Sequence, residues 1–241
     1  MRKFASILFL LLIALATSCR AQIPTNAEKL LPLVKSEQVR IIPTLVLPEY
    51  VPALIEHESC VSLKSPRCFS PSAKLLSKRE EGGGLGQLTR AFNNDGSIRF
   101  DSLTDIRRRH PRELGDLSWS NLYTRPDLQI RALLLMSRDN LTQTSKMTPD
   151  PLMALKFADA AYNGGLGGLK KERAACALSS NCNPEVWDNN VERFCMKSKA
   201  PLYAGRSACD INRHHVHDVF LRAKKYGKHP IYNRRNPSPA N

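Results

Sequence analysis

The sequence predicts a mainly α domain with a small β/loop element, stapled by disulfides. Apolar residues recur at helical spacings of three and four over much of the chain, and one Asn94-Asp95-Gly96 turn signal stands beside a short strand pattern. The chain of 241 residues contains seven cysteines. At 42% apolar and 24% charged residues it can bury a core, which excludes a wholly disordered chain.

The first residues have the pattern of an export signal. Two basic residues precede an apolar run over residues 4–16, and small residues follow that run. We therefore expect residues 1–18 to be a secretory signal peptide rather than a membrane span. Cys19 comes next, as in the lipobox of bacterial lipoproteins, so it is a candidate lipidation site and membrane tether. A plain signal with an incidental Cys19 is the alternative. Either predicts export, to the periplasm.

Three further parts are expected. Residues 20–48 alternate short apolar stretches with prolines, which predicts an N-terminal tether with one short helix near residues 27–35. Residues 49–228 are expected to form the folded domain, and residues 229–241 a flexible basic tail. Helices are predicted near residues 52–61, 102–109, 127–139, 151–162, 184–197 and 212–226, and a strand at residues 97–100.

Six cysteines follow Cys19, and an even number in an exported chain argues for three disulfides. Several connectivities are open, and closeness along the chain favours consecutive pairs. These pairs are Cys60 with Cys68, Cys176 with Cys182, and Cys195 with Cys209.

A zinc site is the rival interpretation of the last cysteine. Cys209, His214, His215 and His217 are ligand-type residues close together in the chain. Oxidising export disfavours free thiolates, and zinc sites usually contain tighter Cys-x-x-Cys pairs. We therefore expect no metal and no cofactor, and we expect the three histidines at the surface or at the edge of a cleft.

One glutamate is a candidate general acid. Glu58 lies four residues after Leu54 and three after Ile55, which predicts that it projects from the apolar face of the first domain helix. Glu56 then points elsewhere. A carboxyl group on an apolar face loses hydration, which favours the protonated form that a general acid needs near neutrality. A boundary glutamate paired with an arginine is the alternative.

Two later segments supply amide and aromatic groups. A glycine cluster over residues 82–86 ends on Gln87, and glycine lets backbone approach a ligand closely. Tyr162 and Asn163 precede a glycine at the end of a predicted helix. Alone, each segment also fits a flexible loop or an ordinary helix cap. With a buried acid, however, amides and an aromatic face make up the inventory of a sugar site.

In this order, the motifs resemble those of the lytic transglycosylase (SLT) family, which is related in fold to goose-type lysozyme. They are Glu-Ser at residues 58–59, Gly-Leu-Gly-Gln at 84–87 and Ala-Tyr-Asn-Gly at 161–164, and the likeness covers residues 45–228. The resemblance implies a helical lysozyme-like fold. It also implies cleavage of the β-1,4 bond between N-acetylmuramic acid and N-acetylglucosamine in peptidoglycan.

The resemblance implies roles for five residues by position. Glu58 matches the single catalytic acid, and Ser59 matches the residue that helps to orient it. Gln87 matches the amide that lines the cleft, while Tyr162 and Asn163 match the pair that packs near the acid and contacts the sugar. Glu58 would protonate the glycosidic oxygen and then take a proton from the muramoyl 6-hydroxyl. That step closes a 1,6-anhydro ring without consuming water.

Two alternatives stay open. One departure from the family motif, Gly86 where the family often has Met, leaves only the subfamily undetermined. The first alternative is a hydrolytic muramidase, in which Asp101, Asp105 or Asp116 positions a water molecule, although each is predicted to cap a helix or face solvent. A non-catalytic peptidoglycan-binding scaffold is the alternative outside the enzymes.

The basic surface is a further signal. The formal net charge is +14, with clusters at residues 107–112 and 224–235. Such clusters could bind nucleic acid, but export makes that partner unexpected. Anionic polymers of the envelope feel the same long-range attraction, so peptidoglycan with its peptide carboxylates is the expected partner. A solvated basic face is the alternative.

Overall fold

The computed structural model describes residues 22–77, 79–203 and 205–233. The expected signal peptide, Cys19 and residues 234–241 of the expected flexible tail lie outside the described residues. The expected start of that tail at residue 229 is corrected, because Tyr232 is buried in the hydrophobic core. Within the described ranges the chain forms eight α-helices and a small antiparallel sheet, and it is 52% helical when the two single 3-10 turns are included. Together with three disulfides, this confirms the predicted fold class.

The described elements have the following bounds. The helices are α1 (Thr25–Ile41), α2 (Tyr50–Ser59), α3 (Ser102–Arg109), α4 (Pro111–Leu114), α5 (Pro126–Thr144), α6 (Pro151–Gly164), α7 (Leu166–Ala177) and α8 (Ala208–Tyr226). The main sheet contains β1 (Lys74–Leu76), β2 (Glu80–Gly83), β3 (Leu88–Phe92) and β4 (Ile98–Asp101). A short hairpin pairs β5 (Pro201–Tyr203) with β6 (Arg206–Ser207), and single 3-10 turns span Leu122–Thr124 and Val191–Arg193.

Local sequence signals fix the ends of the two helices that matter most for the site. Asp150 caps α6 by accepting hydrogen bonds from two backbone amides of the first turn, and Pro151 occupies the first helical position. Gly165, with φ of 80°, ends that helix. Ser207 and Asp210 form a reciprocal capping box at the start of α8.

The main core lies where α2 packs on α8 and α5 packs on α1 and α6. Leu54 and Ile55 of α2, Leu133 and Leu134 of α5 and Val219 of α8 are all fully buried in it. A second cluster surrounds the buried Trp187 under α6, α7 and α8. These two cores hold α2, α6 and α8 in fixed relative positions, which sets the geometry of the site described below.

The segment expected to be a tether belongs to the folded domain, so that expectation is corrected. Leu31 and Val34 of α1 are fully buried in the main core, and α1 packs on α5. Arg131 of α5 donates to both carboxylate oxygens of Glu37, at 2.9 and 3.0 Å. The apolar residues of this segment have helical spacing, but the prolines around them masked that periodicity.

The helix expected over residues 184–197 is also corrected. That segment contains turns and the 3-10 turn Val191–Arg193, and Asn189 within it has a φ of 56°, which an α-helix does not accommodate. Two helices were not predicted from the sequence, the four-residue α4 and the longer α7. The first turn of α7 contains Gly167 and Gly168, and glycine lowers helix propensity enough to hide such an element.

The sheet extends further than the predicted hairpin. The β3–β4 hairpin forms around the turn at Gly96, as predicted, and β1 and β2 continue the sheet in the order β1-β2-β3-β4. Gly82 and Gly83, expected in a flexible loop, pair with β3 as part of β2. A Cβ on Gly83 would lie 2.7 Å from Leu122 Cδ2, so glycine permits this close packing.

The three disulfides join the predicted pairs. Cys60 is bonded to Cys68, Cys176 to Cys182, and Cys195 to Cys209. The bond to Cys195 occupies the sulfur that the zinc interpretation required. Disulfides of this number indicate an oxidising, exported environment.

None of the helices within the described ranges is long and apolar enough to cross a membrane.

Candidate active site

A cavity of about 760 Å³ opens beside the sheet, between the ends of α2 and α6 and the start of α8. Glu58 comes from the end of α2, and Gln87 from the turn between β2 and β3. Tyr162 and Asn163 come from the last turn of α6. Residues from three motifs that are far apart in the sequence therefore line one cavity.

Glu58 is only partly buried, because 16% of its side chain is exposed. Its Oε1 atom lies 2.8 Å from Nε2 of His215 on α8. Among the described residues, no other hydrogen bond to its carboxyl group is found. One oxygen of Glu58 is therefore held by a histidine, while the other is available to a molecule in the cavity.

His215 connects Glu58 to a second carboxylate in the core. Its Nδ1 atom lies 3.0 Å from Oδ2 of Asp159, and Tyr50 donates a 2.8 Å hydrogen bond to Oδ1 of the same residue. Asp159 is completely buried and His215 nearly so. Burial alone would lower the pKa of His215, but the adjacent carboxylates of Asp159 and Glu58 raise it to about 10. His215 is therefore an imidazolium at neutral pH.

Tyr162 joins the glycine-rich turn to this network. Its hydroxyl donates a 2.8 Å hydrogen bond to the carbonyl of Gly86, and its ring stacks on that of His215 with centroids 6.3 Å apart. Burial, reinforced by the Glu58 and Asp159 carboxylates, raises the pKa of the Tyr162 hydroxyl well above its usual value. The hydroxyl therefore remains a hydrogen-bond donor at physiological pH.

The turn that carries Gln87 is fixed from within and from below. The Gln87 amide donates to the carbonyl of Gly84 at 3.0 Å, and Gly84 has a φ of 76°. Below the turn, the buried Gln129 accepts from the amide of Leu85 at 2.8 Å and donates to the carbonyls of Pro71 and Leu122. Gln87 thus lines the cavity from a rigid turn rather than from the flexible loop that glycine content suggested.

Asn163 is exposed and lines the cavity. Its Oδ1 accepts a 3.0 Å hydrogen bond from Asn212 of α8, which also donates to the carbonyl of Ala160. Asn212 is completely buried. This bond fixes the side-chain oxygen of Asn163 and leaves its amide nitrogen free to donate to a ligand.

Ser59 lies behind the cavity and does not line it. Its hydroxyl donates to the carbonyl of Ile55 at 2.6 Å and accepts from the amide of Phe69 at 3.0 Å. Within the described residues Ser59 makes no hydrogen bond to Glu58. It fixes the end of α2 against the disulfide-closed loop, and so acts on Glu58 through the backbone.

The expectation that Glu56 points away from the core is wrong. Glu56 is completely buried, where it accepts from Lys225 and Tyr226 at 2.6 Å each and from Arg222. Every residue from 50 to 56 is buried, so apolar spacing does not single out one face of this helix. Pairing with an arginine was the alternative prediction for Glu58, but the acid that is paired in this way is Glu56, with Arg222.

Sequence reasoning missed Tyr50 and Asp159 and placed His215 wrongly. His214 and His217 are exposed, as expected, whereas His215 is buried between two carboxylates. An available signal was Asp159 itself, an acid inside the apolar run of α6 and three residues before Tyr162. Such a residue usually needs a buried partner.

The three aspartates considered for a hydrolytic mechanism do not line the cavity. Asp101 caps α3 and accepts from the Trp119 indole at 3.0 Å, Asp105 is half-exposed beside Arg108, and Asp116 is exposed. The prediction that they are caps or solvated charges is confirmed. A carboxylate that does line the cavity together with Glu58 is Glu80 of β2.

Comparison with known families and with curated proteins gives no match: neither a family model nor a curated protein is similar to this chain.

Proposed function

We propose that this protein is a peptidoglycan lytic transglycosylase. It would cleave the β-1,4 bond between N-acetylmuramic acid and N-acetylglucosamine and leave 1,6-anhydro-muramoyl ends. The observation that carries the proposal is that Glu58, Gln87, Tyr162 and Asn163 line the same cavity. A partly buried acid, two amides and an aromatic ring are the groups that a polysaccharide site needs.

The reaction needs one carboxyl group that works twice. The protonated Glu58 gives its proton to the glycosidic oxygen, and the bond from that oxygen to the muramoyl C1 breaks. The positive charge at C1 is supported by the neighbouring N-acetyl group, as in substrate-assisted glycosidases. The Glu58 carboxylate then takes the proton of the 6-hydroxyl while the oxygen of that hydroxyl attacks C1. Glu58 regains its proton, and no water is consumed.

The electrostatics of the cavity suit an anionic polymer. Arg99, Arg109 and Lys197 line it, and the whole chain carries a formal charge of +14. Arg109 and Lys197 are paired with Asp139 and Glu172, respectively. Arg99 is exposed, and within the described residues it has no acidic partner. It can therefore contact the peptide carboxylates of peptidoglycan.

The proposed location is the periplasm, where the substrate lies and where disulfides persist. Cys19 is the proposed lipidation site, which would tether the enzyme to a membrane. No metal or cofactor takes part in the proposed reaction.

A hydrolytic muramidase is the second candidate, because Glu80 lines the same cavity. A second carboxylate could activate a water molecule on the opposite face of the sugar, as in two-carboxylate glycosidases. This moves the hydrolytic role from the three aspartates to Glu80.

Mass spectrometry of the products released from purified peptidoglycan tests both candidates. An anhydro-muramoyl end is one water lighter than a reducing end, so the two reactions give different masses. We expect anhydro products from the wild type and from Glu80→Gln, and none from Glu58→Gln. Reducing ends that disappear in Glu80→Gln would establish the muramidase. Wall binding without any product would establish a non-catalytic scaffold.

A further inference from the structure

Four side chains form a continuous hydrogen-bonded chain from the core to the cavity. Tyr50 donates to Asp159 at 2.8 Å, Asp159 lies 3.0 Å from His215, and His215 lies 2.8 Å from Glu58. The members come from α2, α6 and α8, three helices that the main core packs together. Along this chain only Glu58 reaches the cavity.

The partners of His215 define its charge state. Each ring nitrogen faces a carboxylate oxygen, and an ionised carboxylate only accepts hydrogen bonds. A neutral imidazole has a single N–H, so one of its nitrogens would present a lone pair to a carboxylate. The imidazolium has two N–H groups and satisfies both sides. Its burial, with a side chain only 2% exposed, strengthens these charged bonds.

We propose that His215 is the positioning residue of Glu58 and acts as an imidazolium clamped between the Asp159 carboxylate and the carboxyl group of Glu58. Its Nε2–H fixes Oε1 of Glu58, which leaves Oε2 to exchange the proton with substrate. As Glu58 gives up that proton, its oxygen gains negative charge and the bond from the imidazolium becomes stronger. Such an interaction stabilises the transition state more than the ground state. This inference rests on the proposed acid role of Glu58.

Other charged and titratable groups surround the clamp without replacing it. His57 of α2 packs edge-on against the His215 ring at 4.4 Å, and its Nδ1 lies 2.7 Å from Asp218, which also accepts from Arg222. Tyr162 of α6 stacks on the same ring, and Tyr50 hydrogen-bonds to Asp159 rather than to His215. None of these groups hydrogen-bonds to His215, and Glu58 is its contact at the cavity.

The substitution His215→Gln tests the charge, because glutamine keeps an N–H donor and loses the cation. The negative charge that develops on Glu58 is then less well stabilised, so we expect kcat to fall about 10- to 100-fold with little change in KM. A lost packing contact alone would not separate kcat from KM in this way.

Asp159→Asn is the companion variant, since it removes the carboxylate that holds His215 charged. It should lower kcat in the same way, again with little change in KM. His217→Gln is the matched control, because His217 is exposed on the same helix and lies outside the cavity lining. We expect it to keep both the kcat and the KM of the wild type.

Nitrogen NMR of the His215 ring gives a readout that needs no activity and no variant. Two protonated ring nitrogens should persist in the wild type to about pH 9. Titration of His215 near the ordinary histidine range, or an unchanged kcat in folded His215→Gln, would overturn the inference while the transglycosylase stands. Absence of anhydro products from the wild type would instead overturn the proposed function, with the NMR result untouched.

Discussion

Glu56 and Glu58 lie two residues apart on α2 and face different surroundings. The carboxylate of Glu56 is completely buried against Arg222 and Lys225, whereas that of Glu58 reaches the cavity and contacts His215. Side chains two residues apart on an α-helix point in nearly opposite directions, so the two acids cannot share partners. One short helix thus carries an acid that stabilises the fold and an acid suited to chemistry.

Exchanging each acid for its amide should separate the two roles. Glu58→Gln should abolish product formation and leave the free energy of unfolding within about 1 kcal/mol of the wild type. Glu56→Gln should lower that free energy by about 3–5 kcal/mol, because it leaves buried cations without their carboxylate. Urea unfolding and product release, measured on both variants, check this. Equal destabilisation by the two changes would contradict it.

Gly84 should tolerate a side chain less well than Gly165. Both have positive φ, at 76° and 80°, so alanine is strained at either position by about 1–2 kcal/mol. Only at Gly84 would the new Cβ meet another side chain, at 2.6 Å from Gln129. We expect Gly84→Ala to lower the free energy of unfolding by about 1–3 kcal/mol more than Gly165→Ala does, as measured by thermal unfolding. An equal decrease for both variants would show that the Gln129 side chain moves aside.

Tyr162→Phe should weaken substrate binding through the glycine-rich turn. The change removes the hydrogen bond to the carbonyl of Gly86, worth about 1 kcal/mol, and leaves the ring in place. A less restrained Gln87 should then raise KM more than it lowers kcat. Tyr123→Phe removes a weaker hydroxyl contact, 3.4 Å from Glu81, and is the control. Steady-state kinetics that give matching values for the two variants would contradict the prediction.

The clamp around His215 should make the fold sensitive to alkali. Despite its burial, the carboxylates of Asp159 and Glu58 raise the pKa of His215 from 6.5 to about 10 in the folded protein. The folded state therefore binds this proton more tightly than the unfolded state. The resulting stability is complete below about pH 6.5 and is lost as pH rises through about 10. Urea unfolding should show a fall of more than about 1 kcal/mol over this range, and a flatter curve for His215→Gln.

Reduction of the disulfides should lower the melting temperature. The bridge between Cys195 and Cys209 closes the longest of the three loops, with a sequence separation of 14. A loop of this size contributes about 3 kcal/mol through the entropy of the unfolded chain. The double substitution Cys195→Ser with Cys209→Ser should therefore account for much of the effect of reductant. If calorimetry finds the same melting temperature for this double variant and the wild type, the bridge does not stabilise the fold.

Local patterns were sufficient for elements with one apolar stripe. Apolar spacing located α3, α5 and α6, and the turn at Gly96 located the β3–β4 hairpin. In α2 the spacing predicted the helix but not its buried face, because residues 50 to 56 are all buried, and in α7 glycine lowers helix propensity, so that helix was not predicted. In both cases tertiary packing, and not the local sequence, decides the outcome.

The site divides in the same way. Motif order identified Glu58, Gln87, Tyr162 and Asn163, and these four line one cavity. His215 was misplaced because its burial depends on Asp159, which lies 56 residues earlier, and on Glu58, which lies 157 residues earlier. No periodicity within a single helix carries information about partners at such distances.

The pairing of the cysteines has a consequence for how the chain matures. From Cys60 onward the six cysteines pair consecutively, first with second, third with fourth and fifth with sixth, over separations of 8, 6 and 14 residues. A chain threaded N-terminus first into an oxidising compartment would expose each thiol together with its correct partner before the following pair arrives. Oxidation in order of emergence then yields the native bonds, and the protein needs little help from an isomerase that reshuffles mispaired thiols.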